Sequence, residues 1–148
     1  TSVAIHDALI AYREQVNLEL AKSDVRDYLH AEASKDPTVH DAQESLKKAR
    51  AERRIILSPN ILHNEEVTYP KQARRDIKEG YVFFSIIVGP TGMPEKITHI
   101  HLPTLLVDQV FIDAGKSSLE KWRFSPGSID GIPVNFPLMI PIRFRLEP

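Results

Sequence analysis

Cysteine is absent from this 148-residue chain, which excludes a disulfide framework, a thiol nucleophile and a Cys-type zinc site. An excess of charge is also missing. The formal net charge of -1 gives no reason to expect nucleic acid or an anionic membrane as partner. Long apolar runs are lacking too: the longest, Tyr81 to Val88, falls far short of the ~20 residues a membrane helix needs. No signal peptide is visible, and the chain starts at Thr1 rather than methionine, so it reads as a processed or trimmed product. There is no Gly-rich phosphate loop, and no Ser-His-Asp or paired-carboxylate motif in a recognisable context. Asp108 and Asp113 lie five positions apart on an expected helix, too far around it to converge. The expectation is therefore a protein that is not an enzyme and carries no cofactor.

What remains is globular in composition, with 42% hydrophobic and 26% charged residues. Glycine and proline are distributed unevenly. Residues 1–57 contain no glycine and the single Pro37, whereas ten of the eleven prolines lie from Pro59 onward. This shift divides the chain into a helical arm over 1–57, a linker over 58–68 opened by the breaker Ser58-Pro59-Asn60, and a domain over 69–148.

In the arm, Ile5, Leu9, Tyr12, Val16 and Leu20 follow helical spacing, as do Val39, Ala42, Leu46 and Ala49. Asp36 and Pro37 read as the cap and first-turn residue of the second helix, so the arm is two helices or a helical hairpin. Two narrow stripes bury little by themselves, and the arm must pack on the downstream domain, on a second copy or on another partner. The basic residues Lys47, Lys48, Arg50, Arg53 and Arg54 read as a solvated helix face.

The domain begins with Tyr69-Pro70, where proline suits a helix start, and the short helix ends before Gly80. From Tyr81 to Val88 the apolar set Val82, Phe84, Ile86 and Val88 alternates with the mixed set Tyr81, Phe83, Ser85 and Ile87. Gly89-Pro90-Thr91-Gly92 predicts a hairpin into a second strand over about 95–102. His99 and His101 share a face of that strand, but no further residues of ligand spacing accompany them and no metal site is expected. Thr104 suits an N-cap for a helix whose stripe is Val107, Val110, Phe111, Ala114, Ser118 and Trp122. Gly115 beside that stripe suggests close approach to the sheet, and Trp122 and Phe124 read as core aromatics.

The last strand alternates most clearly. Val134, Phe136, Leu138, Ile140, Ile142, Phe144 and Leu146 form one face, opposite Asn135, Pro137, Met139, Pro141, Arg143 and Arg145. Pro137 and Pro141 have the same parity, so both missing N–H donors fall on one lateral side, which must be the free edge. A strand–helix–strand crossover then places this strand beside the first. The expected fold is α+β: a three-stranded antiparallel sheet of order 2-1-3 with two helices on one face, preceded by the helical arm.

The stretch from about Val67 to Leu146 resembles the C-terminal domain of the energy-transducing TonB family. The resemblance rests on Tyr69-Pro70 with Ala73, on Gly80-Tyr81-Val82-Phe83-Phe84, on Gly92, and on Lys121-Trp122-Arg123-Phe124 with Pro126. It continues in Gly131-Ile132-Pro133-Val134 and Ile140-Pro141-Ile142-Arg143-Phe144-Arg145-Leu146. It implies a periplasmic module, inner-membrane anchored in the full-length protein, that couples an outer-membrane TonB-dependent transporter to an inner-membrane, ion-driven motor complex. In that family the domain captures an extended peptide, the transporter's TonB box, at a sheet edge. The resemblance implies Tyr69, Pro70 and Gln72 near the captured peptide, and the free edge read above adds Met139, Arg143 and Arg145 as expected peptide-binding residues. The family's membrane helix and long Pro-rich spacer are not in this sequence, which carries the helical arm instead. The alternative expectation is a structural or assembly protein of the cell envelope that uses the same fold, with the arm mediating homodimerisation or docking.

Overall fold

The chain is described by a computed structural model over residues 23–65, 80–102 and 109–144. Its centre is β3 (Gly80–Val88), which pairs antiparallel with β4 (Pro94–Ile100) on one side and β8 (Phe136–Phe144) on the other. The spatial order is β4-β3-β8, the arrangement expected from the proline parity of the last strand. The β3–β8 ladder is continuous from Gly80 opposite Phe144 to Val88 opposite Phe136. The β3–β4 ladder carries a bulge between Ser85 and Ile87, where Lys96 takes a left-handed backbone at φ 52°.

The hairpin between β3 and β4 turns at residues 89–92. The Gly92 N–H donates to the Gly89 carbonyl at 2.9 Å and the Gly89 N–H to the Met93 carbonyl at 2.9 Å. Gly92 sits at φ 87°, and a Cβ there would lie 2.0 Å from the Phe124 carbonyl oxygen, so both backbone and space require glycine.

The even residues of β3 and β8 share one face. Val82, Phe84, Ile86 and Val88 form a core with Phe136 and Ile142, closed by Phe111 and Leu119 of α3 (Gln109–Leu119) and by Trp122 and Phe124. Gly115 allows α3 to approach: a Cβ there would stand 2.7 Å from Phe84 Cε2. Trp122 and Phe124 are core aromatics, with ring centroids 6.3 Å apart. The indole N–H of Trp122 donates to Ser118 Oγ at 3.2 Å, and that hydroxyl donates to the Glu65 carbonyl at 3.1 Å.

The mixed face of β3 is just as deeply buried, at 4% exposure for Phe83, 2% for Ser85 and 0% for Ile87. The arm covers it. Helices α1 (Ser23–Ala33) and α2 (Pro37–Ala51) place Leu29, Ala33, Val39 and Ala42 in a second cluster with Phe83, Ile87 and Ile100. The turn between them is built as expected: Asp36 caps α2 by accepting from the Thr38 N–H at 2.9 Å, and Pro37 occupies the first turn. The Tyr28 hydroxyl donates to the His101 carbonyl at 3.0 Å, tying α1 to the end of β4. The sheet thus lies between α3 on one face and α1 with the first half of α2 on the other, while Leu46 and Ala49 of α2 reach the first core.

Short pairings fasten the intervening chain. Residues of β1 (Ile56–Leu57) pair with β6 (Ser128–Ile129), which continues into β7 (Ile132–Pro133). Within the expected linker, β2 (Ile61–His63) pairs with β5 (Arg123–Phe124). The stripe from Ile5 to Leu20, the helix expected over 70–78 and the Thr104 cap lie outside the described residues.

Candidate functional site

Among the described residues both sides of β3 are paired, and the edges of this sheet are β4 and β8. They differ in quality as templates. The bulge and the left-handed Lys96 interrupt β4, and the Thr98 hydroxyl donates to the Lys96 carbonyl at 3.3 Å. A bulge of this kind blunts an edge against strand addition. β8 is nine residues long and unbroken in register against β3.

The ladder determines which groups β8 presents outward. Pro137 lies opposite Ile87 and Pro141 opposite Phe83, and neither proline can donate. In an antiparallel ladder alternate pairs exchange hydrogen bonds, so Phe136, Leu138, Ile140 and Ile142 bond inward to β3. The odd residues direct their backbone groups to the free side. Along that side Pro137, Met139, Pro141 and Arg143 each offer a carbonyl, but only Met139 and Arg143 offer an N–H. Met139 is therefore a single donor between two prolines. A strand added here would have its register set by that spacing.

A groove runs beside this edge. A cavity of ≈ 340 Å³ lies between β8 and the arm, lined on the sheet side by Ser85, Pro137, Leu138 and Met139, and on the arm side by residues that include Leu29, Gln43 and Leu46. It exists because the arm covers the odd face of the sheet, on which the Met139 side chain packs with the second cluster. Sequence reasoning identified the strand and its free side. It missed the groove, whose arm wall is brought there by packing between segments far apart in the chain.

Of the expected peptide-binding residues, Met139 and Arg143 share the outward side of β8. Tyr69, Pro70, Gln72 and Arg145 lie outside the described residues. His99 and His101 stand with ring centroids 6.3 Å apart, and Phe84 packs edge-on against His99. Burial, with the neighbouring His101 adding to it, holds the His99 imidazole below its ordinary pKa. Among the described residues no three His, Cys, Asp or Glu side chains come together as a metal site. None of the described helices is long and apolar enough to cross a membrane.

Comparison with known proteins bears on the same half of the chain. The family described as Gram-negative bacterial TonB protein C-terminal matches residues 65–146. A curated relative, Protein TonB of Vibrio cholerae, is 36% identical over 80 residues, which are 53% of this chain and 31% of the relative. The chain thus matches about a third of that relative's length. A solution NMR structure of the Pseudomonas aeruginosa TonB C-terminal domain superposes with a TM-score of 0.44 at 19% identity, covering 60% of this chain and 85% of that one. With more than half of its residues matched by the family, the chain belongs to the TonB C-terminal family of Gram-negative bacteria.

Proposed function

We propose that this chain is a periplasmic binding and force-transmitting module that captures an extended peptide of an outer-membrane transporter by adding it to β8. The module would be coupled to an inner-membrane, ion-driven motor complex through segments of a longer protein. The observation that carries the reading is the unbroken nine-residue edge of β8, which among the described residues is paired on one side only and has its outward donors restricted to Met139 and Arg143. Strand addition obtains its affinity from main-chain hydrogen bonds and needs no catalytic group. A pull along the strand axis would load those bonds side by side, which suits a transmitter of force.

In this reading residues 1–57 are an arm docked on the domain over 69–148, with 58–68 joining them. The arm's cluster residues are already committed to the chain's own sheet, which favours the capture reading over one in which the arm serves mainly as a dimer interface. Tyr69, Pro70 and Gln72 are proposed to lie near the captured strand, with Arg143 and Arg145 along its far end.

The test is a titration of the isotopically labelled chain with a peptide of TonB-box sequence, followed through backbone amide signals. The proposal expects the largest shifts at Met139, Arg143 and Arg145. No shift at those positions at millimolar peptide overturns it.

A further inference from the structure

The groove between β8 and the arm has a chemical character of its own. Its floor is apolar, from Leu29, Ala33, Val39, Leu46 and Met139. Its charged lining is one-sided among the described residues: Arg26, His30 and Arg50 contribute to it, and no carboxylate does. Arg26 and Arg50 are exposed, and among the described residues neither makes a salt bridge. The Gln43 side chain adds a second observation. Its Oε1 is buried without a hydrogen-bond partner, and Gln43 lines the same groove. A carbonyl oxygen in such a wall takes its hydrogen bond from whatever occupies the groove, water in the free chain or a donor on a bound strand.

We infer that this groove is a side-chain subsite for the captured peptide, selecting a strand that carries a carboxylate on its arm-facing side next to a hydrogen-bond donor. The inference rests on the capture reading and deepens it. Its geometric basis is the pleat. In an antiparallel ladder, residues directly opposite one another project from the same face, so the peptide residue opposite Met139 points its side chain to the arm face, where Met139 itself packs. The residue two positions along, opposite Pro137, does the same, and both Pro137 and Met139 line the groove. Two consecutive arm-facing side chains of the peptide therefore enter it. One would bring negative charge to Arg26, His30 and Arg50. The other, a hydroxyl or amide side chain, would donate to Gln43 Oε1. Main-chain bonds to β8 are indifferent to sequence, and this groove supplies the discrimination they lack.

The experiment uses the full chain and two eight-residue peptides of Thr, Ser and Val, one with a single central Glu and the other with Gln in its place. Binding is read by titration, and edge occupancy by the Met139 amide signal. The Glu peptide should bind about five- to tenfold more tightly than the Gln peptide at low salt, with both shifting Met139. The double variant Arg26→Gln/Arg50→Gln should reduce that preference to less than about twofold while leaving the Met139 shift in place. Gln43→Leu should weaken both peptides, because the donor they bring to the groove loses its acceptor.

Equal binding of the two peptides with Met139 still shifted overturns the inference and leaves capture standing. A Glu preference that survives in the double variant also overturns it, because the charge would then be read elsewhere. Failure of both peptides to shift Met139 overturns both readings.

Discussion

Replacing Leu29 by alanine tests whether the arm and the sheet are one cooperative structure. Leu29 is 2% exposed and sits in the cluster that joins α1 and α2 to Phe83, Ile87 and Ile100 of the sheet. Leu-to-Ala changes at fully buried sites cost about 2–5 kcal/mol, with the size of the residual cavity setting the value. Leu29 also borders the ≈ 340 Å³ groove, so solvent can enter the space left behind and no sealed void forms. That places the cost at the low end, about 2–3 kcal/mol. For a chain of this size each kcal/mol lowers the thermal midpoint by about 2–4 °C, so the expected loss is about 4–12 °C in a single transition. Circular dichroism and calorimetry read it directly. The reasoning fails if the main transition keeps its midpoint while signals of the arm disappear at lower temperature. That result would make the arm an independently melting attachment, and the odd face of β3 would not depend on it.

Gly115→Ala sets helix propensity against space. Alanine gains about 1 kcal/mol in the middle of a helix, but overpacking costs about 1–3 kcal/mol. The Cβ would stand 2.7 Å from Cε2 of the fully buried Phe84 ring, so a net loss of about 1 kcal/mol is expected in urea unfolding, where an exposed helix site would show a gain. Ser118→Ala leaves the buried Trp122 indole N–H without its acceptor and the Glu65 carbonyl without its donor. The expected cost is about 1–3 kcal/mol, with a shifted indole N–H resonance in the folded protein. Because the pKa of His99 is lowered on folding, the unfolded chain binds the proton more readily. Stability should therefore fall as pH drops below the ordinary histidine value, and His99→Asn should flatten that part of the urea-midpoint profile between about pH 7.5 and 5.

The sequence was most informative where a local rule has only one structural solution. Pro137 and Pro141 cannot donate, so their shared parity settled which side of β8 faces β3, and from that came the strand order. Asp36-Pro37 and Gly89-Pro90-Thr91-Gly92 were readable for the same reason: cap and turn chemistry acts within four residues. The odd face of β3 was harder. Ser85 makes it look mixed, and alternation reveals two faces without saying which distant segment covers each. The arm's apolar stripe required a partner, but only the fold identifies that partner as Phe83, Ile87 and Ile100. The bulge at Lys96 leaves no local trace, since lysine is not a residue that favours a left-handed backbone. The pairings of β1 and β2 are too short for any period to register. The groove combines both difficulties, because Gln43 and Met139 meet only through the docking of arm on sheet.

The central claim is that an extended peptide bonds to the outward backbone of β8 at Met139, and Met139→Pro tests it most directly. Met139 lies opposite Ser85 at a position that makes no inward ladder bond, so proline there removes only the outward donor from the hydrogen-bonding scheme. Met139→Leu serves as the control that keeps the N–H and most of the side-chain volume. The account predicts that Met139→Pro retains the β3–β8 amide pattern yet binds a TonB-box peptide at least about tenfold more weakly than Met139→Leu, the expected consequence of losing a central main-chain bond and its register. Equal affinity of the two folded variants would contradict it and place the peptide somewhere other than the edge of β8.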